Sequence, residues 1–131
     1  MIDYITFGAN DVEASVRFYD AVLGVLGYTR DTDEDGWARY APRDGGQMVF
    51  VSSPFDGRPA SAGNGAMVAF KARSHEEVRA AHAAGLAQGG TDEGAPGLRP
   101  QYSPDFYGAY LRDPTGNKLA VVFQNGGDSE N

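Results

Sequence analysis

Apolar and polar residues alternate along several short stretches of the chain, and in two longer stretches apolar residues recur at helical spacing. Alternation indicates a strand with one buried face, whereas recurrence at i, i+3, i+4 and i+7 indicates a helix. The patterns predict a strand, a helix and three strands, and then the same five elements again. The predicted strands span 2–8, 28–32, 37–41, 46–52, 66–71, 97–102, 106–112 and 117–123.

Both predicted helices begin at a capping residue and end at glycine. Asn10 with Glu13 opens the first helix, which Gly24 and Gly27 end, and the second runs from Ser74 to Gly89-Gly90. A short polar side chain at the N-cap with Glu three residues later satisfies the first free backbone N–H groups of a helix.

The last two strands flank Asp113-Pro114-Thr115-Gly116-Asn117. Proline presets φ at the second position of a turn, and Gly or Asn can adopt positive φ, so this segment predicts a β-hairpin. In its second arm, one face carries Leu119, Val121 and Phe123, and the other carries Lys118, Ala120 and Val122.

Each half of the chain is too small to cover both faces of a four-stranded sheet, so the halves are expected to pack together. The predicted fold class is α+β, with two β-α-β-β-β modules forming an open curved mixed sheet, an incomplete barrel with the helices outside. We expect one domain over 1–131, divided into module one (1–52), a linker rich in Pro, Gly and Ser (53–65), module two (66–124) and a frayed tail (125–131).

The alternation also divides the apolar side chains between the two faces of the predicted sheet. The residues expected to pack under the helices are Ile5, Phe7, Val68, Phe70, Leu119, Val121 and Phe123. Those expected to point into the concave surface are Tyr4, Gln47, Met67 and Ala120.

Composition narrows the class of function. The chain has 131 residues, no cysteine and a net charge of −7. The missing thiols exclude disulfides, and the acidic balance argues against nucleic-acid or membrane partners, because both require clustered cations. The N-terminus lacks a signal-peptide pattern and no apolar run is long enough to span a bilayer, so a cytoplasmic protein is expected.

Six ordered segments of the chain resemble the glyoxalase / bleomycin resistance / extradiol dioxygenase superfamily, also called the vicinal oxygen chelate fold. They are residues 1–4, 11–19, 26–28, 67–70, 94–100 and 107–119. The resemblance covers nearly the whole chain and implies a ligand site in the concavity between the modules. It also implies a homodimer, because relatives commonly dimerise by pairing sheets at their edges or by exchanging modules.

In metal-dependent members of that superfamily, the resemblance implies a divalent ion held by side chains of both modules. This chain has Tyr4 and Met67 where a His is usual, Ala120 where a Glu is usual, and Gln101-Tyr102-Ser103 where many relatives carry histidines. Catalytic metal sites generally need about three converging His or carboxylate ligands. The chain has only two histidines, His75 and His82, both on the second predicted helix, so neither a metal nor another cofactor is expected.

Seven residues are predicted to line a ligand pocket: Tyr4, Gln47, Met67, Arg99, Tyr102, Tyr107 and Ala120. Tyr4 suits a sheet lining better than acid–base catalysis, since a phenol of ordinary pKa, about 10, is a poor catalyst at neutral pH. Met67 is an adaptable apolar surface. Arg99 either clamps an anionic group or lies on the surface. Gln47 hydrogen-bonds either a ligand carbonyl or a neighbouring strand. No catalytic residue is identified.

Three functions are consistent with these residues. The favoured one is a metal-free protein that binds a small aromatic or amphipathic molecule in the cleft between the modules. The second is a metal-dependent lyase or dioxygenase of the same superfamily. The third is a regulatory or interaction domain without a ligand.

Overall fold

The computed structural model describes residues 1–34 and 36–125, with ten helices and strands among them. In chain order they are β1 (Tyr4–Gly8), α1 (Val12–Val25), β2 (Tyr28–Glu34), β3 (Trp37–Pro42), β4 (Met48–Ser52), β5 (Val68–Lys71), α2 (His75–Ala87), β6 (Thr91–Leu98), β7 (Phe106–Arg112) and β8 (Lys118–Gln124). Of the tail predicted to fray, the part beyond Asn125 lies outside the described residues.

The described strands form two four-stranded sheets with the same topology, and neither sheet closes into a barrel. Their orders are β1-β4-β3-β2 and β5-β8-β7-β6. The first strand of each half pairs with the last in parallel, and the other neighbours are antiparallel. The predicted α+β class is confirmed, as is the order of elements in each half.

One hydrophobic core joins the two halves. Helices α1 and α2 contact each other, and each also packs on its own sheet. All seven residues predicted to pack under the helices belong to this core or pack against it. The rings of Phe7, from the first sheet, and Phe70, from the second, lie 6.3 Å apart. The helix-bearing faces therefore share one interior, and the opposite faces of the sheets point away from it.

The predicted cap of α1 was wrong by one residue. Asp11 is the N-cap, and its Oδ1 accepts the backbone N–H of Ala14 at 3.1 Å. Asn10 instead exchanges two hydrogen bonds with the backbone of Ala60, at 3.0 and 2.6 Å. An amide can both donate and accept, which an ionised carboxylate cannot do, so each residue has the role that its side chain permits. The predicted cap of α2 is confirmed, since the Ser74 hydroxyl accepts the N–H of Glu77 at 3.0 Å.

The predicted strand at 97–102 was also misplaced, because β6 spans Thr91–Leu98. Its sequence contains Gly94, Pro96 and Gly97 and does not alternate. The strand lies at the edge of its sheet and pairs with β7 through two register shifts. Proline and bulges are tolerated at such an edge, so the pairing with β7, and not local propensity, decides where β6 lies.

The predicted hairpin turn between β7 and β8 is built around a buried carboxylate. Asp113 is 3 % exposed, and its Oδ1 accepts the backbone N–H groups of Thr115, Gly116 and Asn117 at 2.9, 2.9 and 3.0 Å. Gly116 has φ of +108°, the conformation for which the sequence motif selects glycine. The carboxylate thereby supplies the acceptor for the N–H groups of Thr115 and Asn117, while the N–H of Gly116 also bonds the carbonyl of Asp113 at 2.9 Å.

The same turn is tied to the first half of the chain. The hydroxyl of Tyr19, on α1, donates to Asp113 Oδ2 at 2.7 Å. The side-chain amide of Asn117 donates to the same Oδ2 and to the carbonyl of Gly8, both at 2.9 Å. These polar contacts link the ends of β1 and β8 with the middle of α1.

Replacing Tyr19 with Phe should lower the free energy of unfolding by about 1.5–3 kcal/mol at neutral pH, because a buried bond to a charged group is lost. Urea titration measures the change. Tyr4→Phe is the matched control, since Tyr4 lies on an exposed sheet face, and it should change stability by less than about 0.5 kcal/mol. Equal losses in the two variants would contradict the role of the Tyr19–Asp113 bond.

The Tyr19→Phe variant should also respond less to alkaline pH. Burial first, and then the Asp113 carboxylate, raise the pKa of Tyr19 well above its ordinary value. The folded state therefore holds this proton more tightly than the unfolded state. Its contribution is complete below the unfolded pKa of about 10 and is lost as pH rises further. Between pH 9 and 11, on either side of that value of about 10, unfolding titrations should show a steeper fall for the wild type than for the variant.

Helices α1 and α2 meet at Gly85, where there is no room for a side chain. A Cβ on Gly85 would overlap Leu111 and would lie 3.0 Å from Phe18 and from Val22. Gly24, in α1, is the contrasting case, because a Cβ there would meet no other atom within 4 Å.

Gly85→Ala should therefore destabilise the protein by about 1–3 kcal/mol, since overpacking outweighs the better helix propensity of alanine. Gly24→Ala makes the same chemical change without the overlap and should raise stability by up to about 1 kcal/mol. Thermal or urea unfolding of both variants measures the difference. Changes of the same sign and size would show that the helices do not meet closely at Gly85.

Candidate functional site

A cavity with a volume of about 950 Å³ lies on the second sheet. Its lining residues all lie between positions 67 and 124, on strands β5 to β8 and their flanking segments. It occupies the face of the sheet opposite the helices. This position differs from the expected cleft between the two modules.

Strand alternation positions the floor of the cavity. Lys118, Ala120 and Val122 of β8 line it, whereas Leu119 and Val121 are buried in the core, as the hairpin pattern predicted. Ala120 is paired with Ala69 of β5 on one side and with Tyr110 of β7 on the other. The small side chains on β5 and β8 leave the space that the cavity occupies.

The structure brings four of the seven predicted pocket residues together. Met67, Arg99, Tyr102 and Ala120 all line the cavity. Met67 is 47 % exposed and Tyr102 is 63 % exposed, so both lie at its open side.

The other three predicted pocket residues lie elsewhere. Tyr107 points to the helix-bearing face of β7, where its ring stacks on His75 at 3.9 Å and its hydroxyl accepts a hydrogen bond from Arg79. Gln47 precedes β4 in the first half, and its buried Nε2 has no hydrogen-bond partner among the described residues. Tyr4 lies on the first sheet.

Tyr4 is part of an aromatic cluster on the open face of the first sheet. Its ring lies 4.9 Å from Phe50, which lies 5.9 Å from Trp37. Tyr4 is 55 % exposed. The first sheet therefore presents an apolar face of its own, separate from the cavity.

Sequence reasoning missed Phe106, Tyr110 and Lys118 as lining residues. The alternation of side chains along β7 could have identified Phe106 and Tyr110 as residues of the cavity face. Because Leu111 is a core residue, Tyr110 must face the other way, and Phe106 shares the face of Tyr110. The same argument removes Tyr107 from the pocket.

Two cations lie close to the ring of Tyr110. Arg99 Cζ lies 5.5 Å and Lys118 Nζ 5.7 Å from its centroid. The guanidinium of Arg99 also donates to the carbonyls of Gly97 and Ala95, at 2.9 and 2.7 Å. Burial is the main cause that raises the pKa of Tyr110 above its ordinary value.

Gly94 allows Tyr110 and Arg99 to approach the backbone of β6. A Cβ at this position would lie 2.9 Å from Tyr110 Cδ2 and 3.3 Å from Arg99 Nη2. The glycine in this edge strand is therefore explained by the packing of the cavity wall.

The residues present do not fit a divalent metal. Within residues 1–34 and 36–125, no group of three His, Cys, Asp or Glu side chains is placed to hold an ion. His82 is buried and bonds Asp92 at 2.9 Å. The backbone N–H of Gly94 first, and then His82, lower the pKa of Asp92. This histidine is therefore held by a hydrogen bond to a carboxylate outside the cavity.

The helices that the structure describes contain no segment long and apolar enough to cross a membrane.

Comparison with known proteins gives a consistent result. A family model described as Glyoxalase/Bleomycin resistance protein/Dioxygenase superfamily matches residues 1–121. A crystal structure of a glyoxalase/bleomycin resistance protein from Albidiferax ferrireducens T118 is 40 % identical, with a TM-score of 0.84 over 95 % of this chain and 98 % of that one. No curated protein matches the sequence.

Two more distant crystal structures show the same fold. A glyoxalase-related enzyme from Fulvimarina pelagi is 22 % identical, with a TM-score of 0.72 over 95 % of this chain and 88 % of that one. Lactoylglutathione lyase from Agrobacterium tumefaciens is 21 % identical, with a TM-score of 0.65 over 94 % of this chain and 92 % of that one.

Proposed function

The chain belongs to the Glyoxalase/Bleomycin resistance protein/Dioxygenase superfamily, and from that premise we propose that it binds a small aromatic or amphipathic molecule without a metal ion. The binding site is the cavity on the second sheet, between Met67, Tyr102, Tyr110 and Ala120.

The observation that carries this proposal is the chemistry of the cavity wall. Its volume lies in the range of small-molecule sites, about 300–1,000 Å³, and its lining combines aromatic and aliphatic side chains with a few polar groups. Tyr4, which replaces one usual metal ligand of the superfamily, lies on the other sheet, and Met67 and Ala120 supply no strong donor. The wall is suited to binding by contact area and hydrogen bonds.

A thermal-shift screen of small aromatic and amphipathic compounds tests the proposal. A ligand at one hundred times its Kd should add about 2.7 kcal/mol to the stability of the folded state. Met67→Asp should abolish the shift, because it replaces an apolar contact surface at the mouth of the cavity with a hydrated carboxylate. Leu86→Asp is the matched control, since Leu86 is a partly exposed apolar residue on α2 outside the cavity, and it should retain the shift.

Two results would contradict the proposal. A shift that survives Met67→Asp would place binding elsewhere. Stoichiometric Ni, Zn, Mn or Fe in protein purified without a tag or chelator would favour the metal-dependent lyase or dioxygenase instead.

We also propose that the protein is a homodimer. Each chain leaves two apolar sheet faces uncovered, the Tyr4–Phe50–Trp37 cluster and the cavity face around Met67 and Tyr102. Contiguous exposed apolar surface commonly marks an interface. A two-fold arrangement in which the first sheet of each copy covers the cavity of the other would bury all of these faces at once.

Sedimentation analysis should accordingly give twice the chain mass of 13.9 kDa. Tyr4→Glu should shift the protein toward monomer, because it buries a carboxylate in the interface. Leu86→Glu adds the same charge on α2 and should leave the dimer intact. A wild-type monomer at all concentrations tested would rule out this assembly.

A further inference from the structure

The charges that line the cavity are opposite in sign to the charge of the chain as a whole. The chain carries a net charge of −7. Among the described residues, however, those that line the cavity include the cations Lys71, Arg99 and Lys118 and one carboxylate, Glu93. A site lined by one sign of charge attracts ligands of the other sign.

The one carboxylate among the described lining residues pairs with neither Arg99 nor Lys118. Glu93 Oε2 accepts a hydrogen bond from Arg112 Nε at 3.1 Å, and the same guanidinium donates to the carbonyl of Gly116 at 2.8 Å. Glu93 is therefore paired at the edge of the sheet with a cation that does not itself line the cavity.

Two of the cations remain without a carboxylate partner among the described residues. Arg99 donates only to backbone carbonyls, which hold it in place and leave its formal charge uncompensated. Lys118 contacts the ring of Tyr110 through a cation–π interaction, which leaves its positive charge uncompensated. Both cations lie within 6 Å of the centroid of one ring, so positive charge is concentrated beside the aromatic wall of the cavity.

The aromatic side chains beside these cations offer flat apolar surface. Tyr102 and Phe106 form an edge-to-face pair with centroids 5.1 Å apart, and Tyr110 lies on the same wall of the cavity. Such rings pack against a planar ligand by stacked or edge-to-face contacts.

We infer that the ligand of this cavity is an anionic aromatic compound, with a planar apolar body against Tyr102 and Phe106 and a carboxylate between Arg99 and Lys118. This inference rests on the proposed binding function and defines the chemical class of its ligand. Arginine presents paired N–H donors to a carboxylate, and lysine adds a point charge.

Isothermal titration with three naphthalene probes of matched size tests the inference. The probes are 1-naphthoate, 1-naphthamide and 1-naphthylmethylammonium. Naphthoate should bind at least about tenfold more tightly than the other two, and this advantage should shrink as salt is added, because the cations are partly exposed.

Variants of Arg99 and Lys118 test whether these two cations cause the preference for the anionic probe. Arg99→Gln and Lys118→Gln should each weaken naphthoate binding by about three- to tenfold and leave naphthamide binding unchanged, since only the anion loses a partner. Arg58→Gln is the control. Arg58 is an exposed cation of the linker outside the cavity, and its replacement changes the net charge equally.

The outcomes separate the inference from the proposed function. If naphthamide or the ammonium probe binds as tightly as naphthoate, or if Arg58→Gln weakens naphthoate as much as Lys118→Gln, the anionic class is overturned while binding at the cavity stands. If no probe binds at concentrations up to about 1 mM, corresponding to a binding free energy near −4 kcal/mol, both are overturned.

Discussion

The buried carboxylate of Asp113 is the contact on which the arrangement of the two halves depends. It accepts three backbone N–H groups of its own turn, the amide of Asn117 and the hydroxyl of Tyr19. A buried charge is tolerable only when its lone pairs are occupied in this way. The turn sets the register of β7 and β8, which place Tyr110, Lys118 and Ala120 on the cavity wall. The cavity therefore depends on a hydrogen-bond network centred on Asp113, a residue that does not itself line the cavity.

The shared core has a direct consequence for function. Because the helix-bearing faces of both sheets pack into one interior, the faces that carry candidate binding residues point outward. The first sheet presents the Tyr4–Phe50–Trp37 cluster and the second presents the cavity. An open cavity with aromatic walls leaves apolar area in water, which a ligand, a second copy of the chain, or both would remove. The proposed binding and the proposed dimer thus follow from the same feature.

The chemistry of the cavity also explains how an acidic protein can bind an acidic ligand. Net charge acts over distances comparable to the Debye length, about 8 Å at physiological salt, whereas a pocket presents its own charges at contact distance. Arg99 and Lys118 lie beside one aromatic ring, and Glu93, the carboxylate among the described lining residues, is paired with Arg112. Position, and not composition, decides which ions this surface attracts.

The sequence by itself determined those features that depend on neighbours along the chain. Alternation assigned Leu119 and Val121 to the core and Ala120 to the opposite face, the turn motif identified the hairpin, and Ser74 marked the start of α2. Only the tertiary structure decided the features that depend on distant partners. The position of β6 follows from its pairing with β7. Asn10 bonds the backbone of Ala60, so Asp11 is the cap of α1. The shared core places the cavity on one sheet and Tyr4 on the other. The physical reason is that local periodicity records which face of an element is buried, whereas the surface that buries it comes from residues far away in the chain.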